Sequence, residues 1–397
     1  MRGYLRNDGR KGIRNQVIAV YLVECAKHVA TEIVAPYKSR GAQVIGFPGC
    51  YPNAYADRML KALCTHPNVG AVLLCSLGCE GADRAGLAGY IAKSGRPVEL
   101  AVIQETGGTL KTLDKGQQWV EAQLDVLEQM ETVDMTPEEL VVGTICGGSD
   151  ATSGITANPA IGRAFDRLTE EGAACIFEET NELIGCEHEM ARRAATPELG
   201  QEIIAAVEKA ANYHMTLGHG SFAPGNAEGG LSTQEEKSLG AYCKSGSSTI
   251  NGLIKPGDQP PTGGLYLLDV VPDGEPRFGF PNIADNAEIV ELIACGSHVV
   301  LFSTGRGSVV GSAISPVIKV CANPDTYRRM EGDMDVNAGA ILEQTASLDD
   351  VGAEIHDLVK RVASGDKSKS EALGHQEFIL TYKTFEPIGP SCLPVLR

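Results

Sequence analysis

The residues able to do chemistry fall where apolar runs end. Residues 17–23 run into Glu24 and Cys25, and residues 42–47 into Pro48, Gly49 and Cys50. Residues 71–76 lead to Leu77, Gly78, Cys79 and Glu80, residues 140–145 to Cys146, and residues 173–177 to Glu178 and Glu179. Four thiols and several carboxylates at five such ends could meet in one crevice. Thiolate donors suit zinc, iron or an iron–sulfur cluster. No CxxC pair occurs, so local spacing alone does not define a ligand set. The competing reading of each cysteine is a small buried hydrophobe. That reading is preferred for Cys64, Cys75, Cys175, Cys295 and Cys321, which lie inside apolar or helical runs.

The densest motif is CGGSDATSGITANP at 146–159. Gly147 and Gly148 would let backbone N–H groups face an anion at a turn, while Ser149 and Asp150 add polar groups. Ser153 or Thr156 could cap the following helix, whose start would then hold a substrate carboxylate. A tight strand-to-helix turn is the plainer alternative. A second polar turn, PGNAEGGLSTQEEKSLG at 224–240, enters a helix with Ser232 or Thr233 as N-cap. Lys237 in it is either a tuned base beside a metal and carboxylates or an i,i+4 partner on a solvated face. In Thr304-Gly305-Arg306-Gly307-Ser308, Arg306 could clamp a carboxylate in bidentate fashion. His28 and His188 are further candidate ligands or bases; the absence of HExxH argues against a zincin.

Elements that could position these groups follow from the apolar pattern. Strand candidates are 17–23, 42–47, 71–76, 97–103, 140–145, 173–177, 265–270, 298–302 and 317–321. Helical stretches are expected at 24–40, 109–130, 197–215, 233–244 and 349–362, with a polar linker at 131–139 and a loop at 255–264. Continuous apolar strands separated by helices imply parallel sheets covered on both faces, with ligands beyond the strands' carboxyl ends. The expected fold is therefore α/β: two units with mainly parallel sheets covered by helices, in Rossmann-like layers. We expect an N-terminal domain over 1–135 and a C-terminal catalytic domain over 136–397.

Composition narrows the class. The 397 residues carry a net charge of −17 with no basic stripe, which argues against nucleic acid or an anionic membrane as partner. With 43% hydrophobic and 21% charged residues the chain is not disordered. Its 46 glycines indicate frequent tight turns and close backbone approaches. The opening residues are polar rather than signal-like, and no run reaches the ~18 apolar residues of a membrane span. Twelve cysteines without a secretion signal imply reduced thiols. The expectation is a cytoplasmic enzyme, commonly a symmetric homo-oligomer.

Together these blocks make the chain resemble the altronate/galactarate dehydratase family. The resemblance rests on GYLRNDGRKGIRN at 3–15, SLGCE at 76–80, CGGSDATSGITANPAIG at 146–162 and GNAEGGLSTQEEKSLG at 225–240. To these are added Glu179-Thr180-Asn181-Glu182 with Gly185 and Glu187, then TGRG at 304–307 and PVIKVCAN at 316–323. The large subunit of sulfolactate sulfo-lyase, a cousin, shares this layout and resembles the tail EALGHQEF at 371–378. Cys50 and Cys79, by contrast, look more like the sugar-acid dehydratases. The resemblance implies a lyase acting on a small hydroxy acid with a divalent metal, usually Fe(2+), an iron–sulfur cluster being the alternative. It also implies a small SAF-like partner subunit, since longer members carry that module themselves.

On that resemblance, Cys25, Cys50, Cys79, Cys146 and Glu179 are expected as metal ligands. Lys237, Glu182 and Asp150 are expected to be catalytic, with Lys237 as the base. Gly147, Gly148, Ser149, Asn226 and Arg306 are expected to bind substrate. Loss of the proton α to a carboxylate builds negative charge there, which a Lewis acid and fixed cations stabilise. Either hydroxide or sulfite then departs and the enol becomes a 2-keto acid. A hydrolase is disfavoured, since neither GxSxG nor a convincing Cys–His pair is present. A non-catalytic binding subunit remains a bland alternative, predicting no metal and no turnover.

Overall fold

A strand buried on both faces must be apolar at every position, and residues 69–76 meet that condition: VGAVLLCS is buried throughout. The computed structural model describes residues 1–217, 224–274 and 284–383. These form two units. One contains Gly3–Val133; the other contains Asp134–Asp273 and most of the later chain up to Glu377.

The first unit holds four parallel strands: β1 (Gln16–Tyr21), β2 (Ala42–Gly46), β3 (Val69–Ser76) and β4 (Val98–Val102), ordered β2-β1-β3-β4. Helices α1 (Glu24–Val34), α2 (Ala54–Cys64), α3 (Arg84–Lys93) and α4 (Thr109–Glu128) connect or cover them. Ala26, Val29, Ala30 and Ile33 of α1 and Val120, Leu124 and Leu127 of α4 pack on Val17, Ala19, Leu73 and Cys75 of the sheet. Burying such side chains contributes about 1.5–3 kcal/mol each. The stretch expected as one helix over 24–40 is instead α1 followed by a 3-10 segment, Ala35–Arg40. Pro36 has no N–H to continue the α ladder, which is why the helix changes there.

The second unit contains seven strands: β5 (Val141–Cys146), β6 (Ala174–Phe177), β7 (Ile250–Ile254), β8 (Gly264–Leu268), β9 (Val299–Thr304), β10 (Val317–Cys321) and β11 (Val336–Asn337). Their order is β7-β8-β6-β5-β9-β10-β11, all parallel. Strand β7, INGLI, was not expected; its Asn and Gly break the apolar run that marks the others. The helices used below are α5 (Ala157–Glu170), α6 (Pro197–Leu217), α7 (Pro224–Glu228), α8 (Gln234–Cys243), α9 (Asp285–Ala294), α10 (Pro324–Arg329) and α11 (Leu348–Ala363).

Chain order creates one special place in this sheet. From β5 the chain lays β6 beside it, then β7 at the edge and β8 between β7 and β6, and returns to lay β9 on the other side of β5. Ligands in open parallel sheets favour the crevice beyond the carboxyl ends where order reverses. Here that crevice lies between the ends of β5 and β9, where Cys146 is registered with Ser303. No helix among the described residues is long and apolar enough to cross a membrane.

Candidate active site

Cys146 is the last residue of β5 and is buried. Its amide donates to Glu179 Oε1 at 2.8 Å, tying the ends of β5 and β6 together. Glu179 adopts a left-handed backbone with φ of 88°. That conformation costs a non-glycine residue about 1–3 kcal/mol. It starts the short 3-10 turn Thr180–Glu182, in which the Glu182 amide donates to the Glu179 carbonyl at 2.7 Å. The turn brings both carboxylates to the same thiol.

Lys237 arrives from α8. Thr233 caps that helix by accepting the Glu236 amide, and Lys237, Ser238, Gly240 and Ala241 form its buried face. Close approach is possible because two glycines meet: a Cβ on Gly240 would lie 3.1 Å from Gly154 Cα. Lys237 Nζ lies 2.7 Å from Glu182 Oε2, 3.1 Å from Cys146 Sγ and 2.9 Å from Ser149 Oγ. Seven residues on, fully buried Lys244 pairs with Glu179.

Two ammoniums thus face two carboxylates, with Lys237, Lys244 and Glu179 buried and Glu182 half-buried. Burial pushes the Cys146 thiol well above its ordinary range, and the charges of Glu179 and Glu182 add to that. For Glu179 burial acts upward but is outweighed by Lys244, Lys237 and the hydrogen bond from Cys146, so its carboxyl sits below the usual range. For Lys237 burial acts downward but is outweighed by Cys146, Glu182 and Glu179, and the ammonium is held strongly.

Among the described residues, Cys146, Glu179 and Glu182 bring one ligand atom each to within 4.8 Å of one another. One sulfur and two oxygens suit a borderline divalent ion, and three protein donors leave positions open for substrate. Ionising the thiol in this buried setting requires further positive charge, which such an ion would bring. The donor set therefore fits a metal.

The expected residues separate into three groups. Cys146, Ser149, Glu179, Glu182 and Lys237 come together as described. Asp150 and Arg306 line a cavity of the same unit with Asn323 and Arg329. Cys25, Cys50 and Cys79 lie in the first unit, exposed, just beyond the carboxyl ends of β1, β2 and β3. The metal-capable group thus contains one of the four thiols: among the described residues it is Cys146 that has two carboxylates, Glu179 and Glu182, within reach of a shared ion.

Four further expectations change. The Gly147 amide is committed to the Ser303 carbonyl at 2.9 Å, and glycine is required there because a Cβ would strike the Phe302 ring. Gly148 likewise lets the chain pass Arg306, whose Cβ would be 3.1 Å from an added Cβ. Asn226, on α7, accepts the Ser149 amide at 3.1 Å and so fixes the turn. Neither Ser153 nor Thr156 caps α5: Ser153 Oγ accepts from Asp150, while Thr156 Oγ1 donates to the Ala322 carbonyl.

Lys244 escaped the sequence reading, and Glu178, named there at a strand end, was given no role. Lys244 is seven residues from Lys237, two helical turns along one face, and that spacing was the available signal. Glu178 is buried with neither carboxylate oxygen hydrogen-bonded among the described residues. Burial and the charge of Glu288 push its carboxyl well up.

Two family models match the chain. Residues 3–128 match D-galactarate dehydratase/altronate hydrolase, second domain, and residues 137–385 match D-galactarate/altronate dehydratase, C-terminal. The chain is 35% identical over 394 residues to (2R)-sulfolactate sulfo-lyase subunit beta of Chromohalobacter salexigens, covering 96% of each. It is 33% identical over 321 residues to galactarate dehydratase (L-threo-forming) of Escherichia coli, or 78% of this chain and 59% of that one. With altronate dehydratase of Bacillus subtilis it shares 29% identity over 397 residues, 96% of this chain and 77% of the relative.

Proposed function

The chain belongs to the D-galactarate/altronate dehydratase family, and from that premise we propose that it is a metal-dependent lyase removing water from a sugar acid. The product is a 2-keto-3-deoxy acid. The observation that carries this reading is the Cys146–Glu179–Glu182 group, its thiol and Glu179 buried, with Lys237 Nζ 3.1 Å from the thiol sulfur and 2.7 Å from Glu182.

Cys146, Glu179 and Glu182 would hold a divalent ion, with Fe(2+) our choice, which when bound supplies Lewis acidity at the substrate carboxylate. With Cys146, Glu179 and Glu182 engaged as ligands, the Lys237 ammonium would lose the charges that hold its extra proton and would release it to solvent water. Its neutral Nζ then takes the proton from the carbon bearing the α-hydroxyl. The electron pair left behind forms a carbon–carbon double bond as hydroxide leaves the neighbouring carbon. Lys237 returns the same proton to that hydroxide, either directly or through Ser149 Oγ at 2.9 Å, and water departs. The enol tautomerises to the keto acid. Such acid–base work contributes about 10²–10⁴-fold. Asn226 keeps Ser149 in place for this exchange.

A second reading is favoured by the 35% identity over 96% of both chains to a sulfo-lyase subunit. The same α-proton abstraction with sulfite as leaving group needs no returned proton, so Lys237 would act only as base. Under either reading we propose cytoplasmic, homo-oligomeric assembly, with a small SAF-like chain as partner. The test is an anaerobic assay of the purified protein, with and without such a partner, on aldarates, aldonates and sulfolactate. A 2-keto acid from a sugar acid supports dehydration, and sulfite with pyruvate supports the second reading. No turnover of any of them by the iron-loaded complex removes both.

A further inference from the structure

The chemistry above leaves one cavity of the second unit unused. It measures about 360 Å³, with Asp150 and Thr326 at its buried floor, Asn323 between, and Arg306, Arg329 and Glu228 exposed at its rim. Two glycines keep it open: a Cβ on Gly305 would lie 2.2 Å from the Asp150 carboxylate, and one on Gly229 3.2 Å from Arg306 Cδ. A cavity of this size accommodates a small ligand.

Its polar groups are only partly used. Asp150 Oδ1 accepts from the Thr152 amide at 2.9 Å, from Thr152 Oγ1 at 2.6 Å and from Ser153 Oγ at 3.3 Å. Asp150 Oδ2 accepts from Asn323 Nδ2 at 2.9 Å, which leaves that oxygen a lone pair for a hydroxyl donor. Arg329 Nη2 donates to Thr326 Oγ1 at 3.2 Å and has no carboxylate partner among the described residues. Arg306 Nη2 is 3.6 Å from Glu228 Oε2 on the exposed rim, a contact a ligand anion can replace at little cost. The site therefore presents one acceptor for a hydroxyl at depth and two guanidiniums for an anion at the mouth.

Its position matters as much as its chemistry. Asp150 directly follows Ser149, whose Oγ touches Lys237, so the cavity adjoins the reacting centre. A six-carbon acid has three carbons beyond its carboxylate and the two carbons that react. In an aldarate those three bear two hydroxyls and a second carboxylate.

We propose that this pocket binds the far end of a six-carbon aldarate, a tail hydroxyl donating to Asp150 and the terminal carboxylate pairing with Arg306 and Arg329. The substrate class is then the diacid rather than the aldonate. This inference rests on the dehydratase reading.

The experiment compares an aldarate with the aldonate of the same configuration, in wild type and in R329A and R329K. The expected result is that R329A lowers the diacid-to-monoacid ratio of kcat/KM by roughly tenfold to a hundredfold, through KM for the diacid, as loss of a charged hydrogen bond would. R329K should recover part of it. Sulfate should compete with the aldarate in wild type and not in R329A. A ratio unmoved by R329A overturns the proposal. So does sulfate binding that depends on Arg329 without competing with substrate, since the pocket would then serve a free anion. Should wild type turn over neither acid, the dehydratase reading has failed. Titration calorimetry of the aldarate against wild type and R329A then decides the pocket on its own: equal affinities overturn it.

Discussion

The carboxyl edges of the two sheets carry the same residue types and differ in what surrounds them. Beyond β1, β2 and β3, Cys25, Cys50 and Cys79 are exposed. Glu80, the acid nearest Cys79 in sequence, is used up in its own loop, where it accepts from Ser76 Oγ and from the Gly78 amide at 2.8 Å. Beyond β5 and β6 the thiol is buried, Glu179 and two lysines are buried with it, and a half-buried Glu182 joins them. In water a charge pair at contact is worth about 1 kcal/mol; out of water it is worth several times that. Cysteines and acids at strand ends are therefore not sufficient. The chemistry gathers where the glutamates that follow β6, Lys237 of α8 and Lys244 at the end of that helix enclose the thiol.

The most severe disturbance of the second edge is Lys237→Ala. Turnover should fall by about 10²–10⁴-fold. Stability should drop by up to about 3–5 kcal/mol, because the half-buried Glu182 loses its ammonium partner and keeps only the Cys146 thiol as a donor. Adding Glu182→Gln should restore much of the stability and none of the turnover. Thermal melts and initial rates on the single and double variants check this. Near-normal turnover in Lys237→Ala would remove the base assignment.

Next in size is the loss of a donor. Glu182→Gln alone should weaken the divalent ion by at least ~10–100-fold, the range found even for losses one shell further out. Elemental analysis after dialysis against a chelator measures this. Chelated wild type should lose turnover and regain it when iron is returned. Unchanged metal content in the variant would show that the ion sits elsewhere.

A smaller effect concerns pH. Because the folded-state carboxyl of Glu179 lies below its ordinary value of 4.5, its stabilising contribution is complete above about 4.5 and is lost as pH falls through the folded value. Lys237 works in the opposite sense. Its ammonium is held above the ordinary 10.5, so its contribution is complete below that and is lost as pH rises through the folded value. The contribution of these two groups should therefore form a plateau between the two limits, whereas Glu182, whose carboxyl burial raises, works against it as pH rises past about 4.5; Glu179→Gln should flatten the acid limb. Melting temperatures of wild type and variant across the acid range test it. Parallel acid limbs would mean that Glu179 contributes nothing through its charge.

Which parts were readable beforehand follows from the same physics. Strands such as 141–146 and 299–304 announce themselves because burial on both faces demands an unbroken apolar run. Strand β7 did not, since Asn251 and Gly252 interrupt it, and neither did the change of helix type at Pro36. Of the site, Cys146, Glu179, Glu182 and Lys237 were legible as a thiol, two acids and a lysine near turns. Their union was not, for Lys237 is 91 residues from Cys146 and reaches it through the Gly154–Gly240 contact. Gly147 and Asn226 were read as substrate contacts because a glycine turn beside polar groups looks like an anion cradle. Only the positions of Ser303, Phe302 and Ser149 reveal that they shape the turn.

The mildest change addresses the first edge. Replacing Cys25, Cys50 and Cys79 together by serine alters three exposed side chains by one atom each, and surface substitutions of this kind usually move stability by less than about 0.5 kcal/mol. Turnover and bound metal should stay within about threefold of wild type, and in the unmodified protein these exposed thiols should react with a thiol reagent far faster than buried Cys146. Mass spectrometry of briefly alkylated protein reads the reactivity, and elemental analysis reads the metal. Loss of the ion from the triple variant, with Cys146 intact, would place these sulfurs around it and erase the distinction between the two edges. Retention of both metal and rate would leave Cys146 as the single thiol of the centre, supported by Glu179 and Glu182, with which it forms the group able to hold an ion among the described residues.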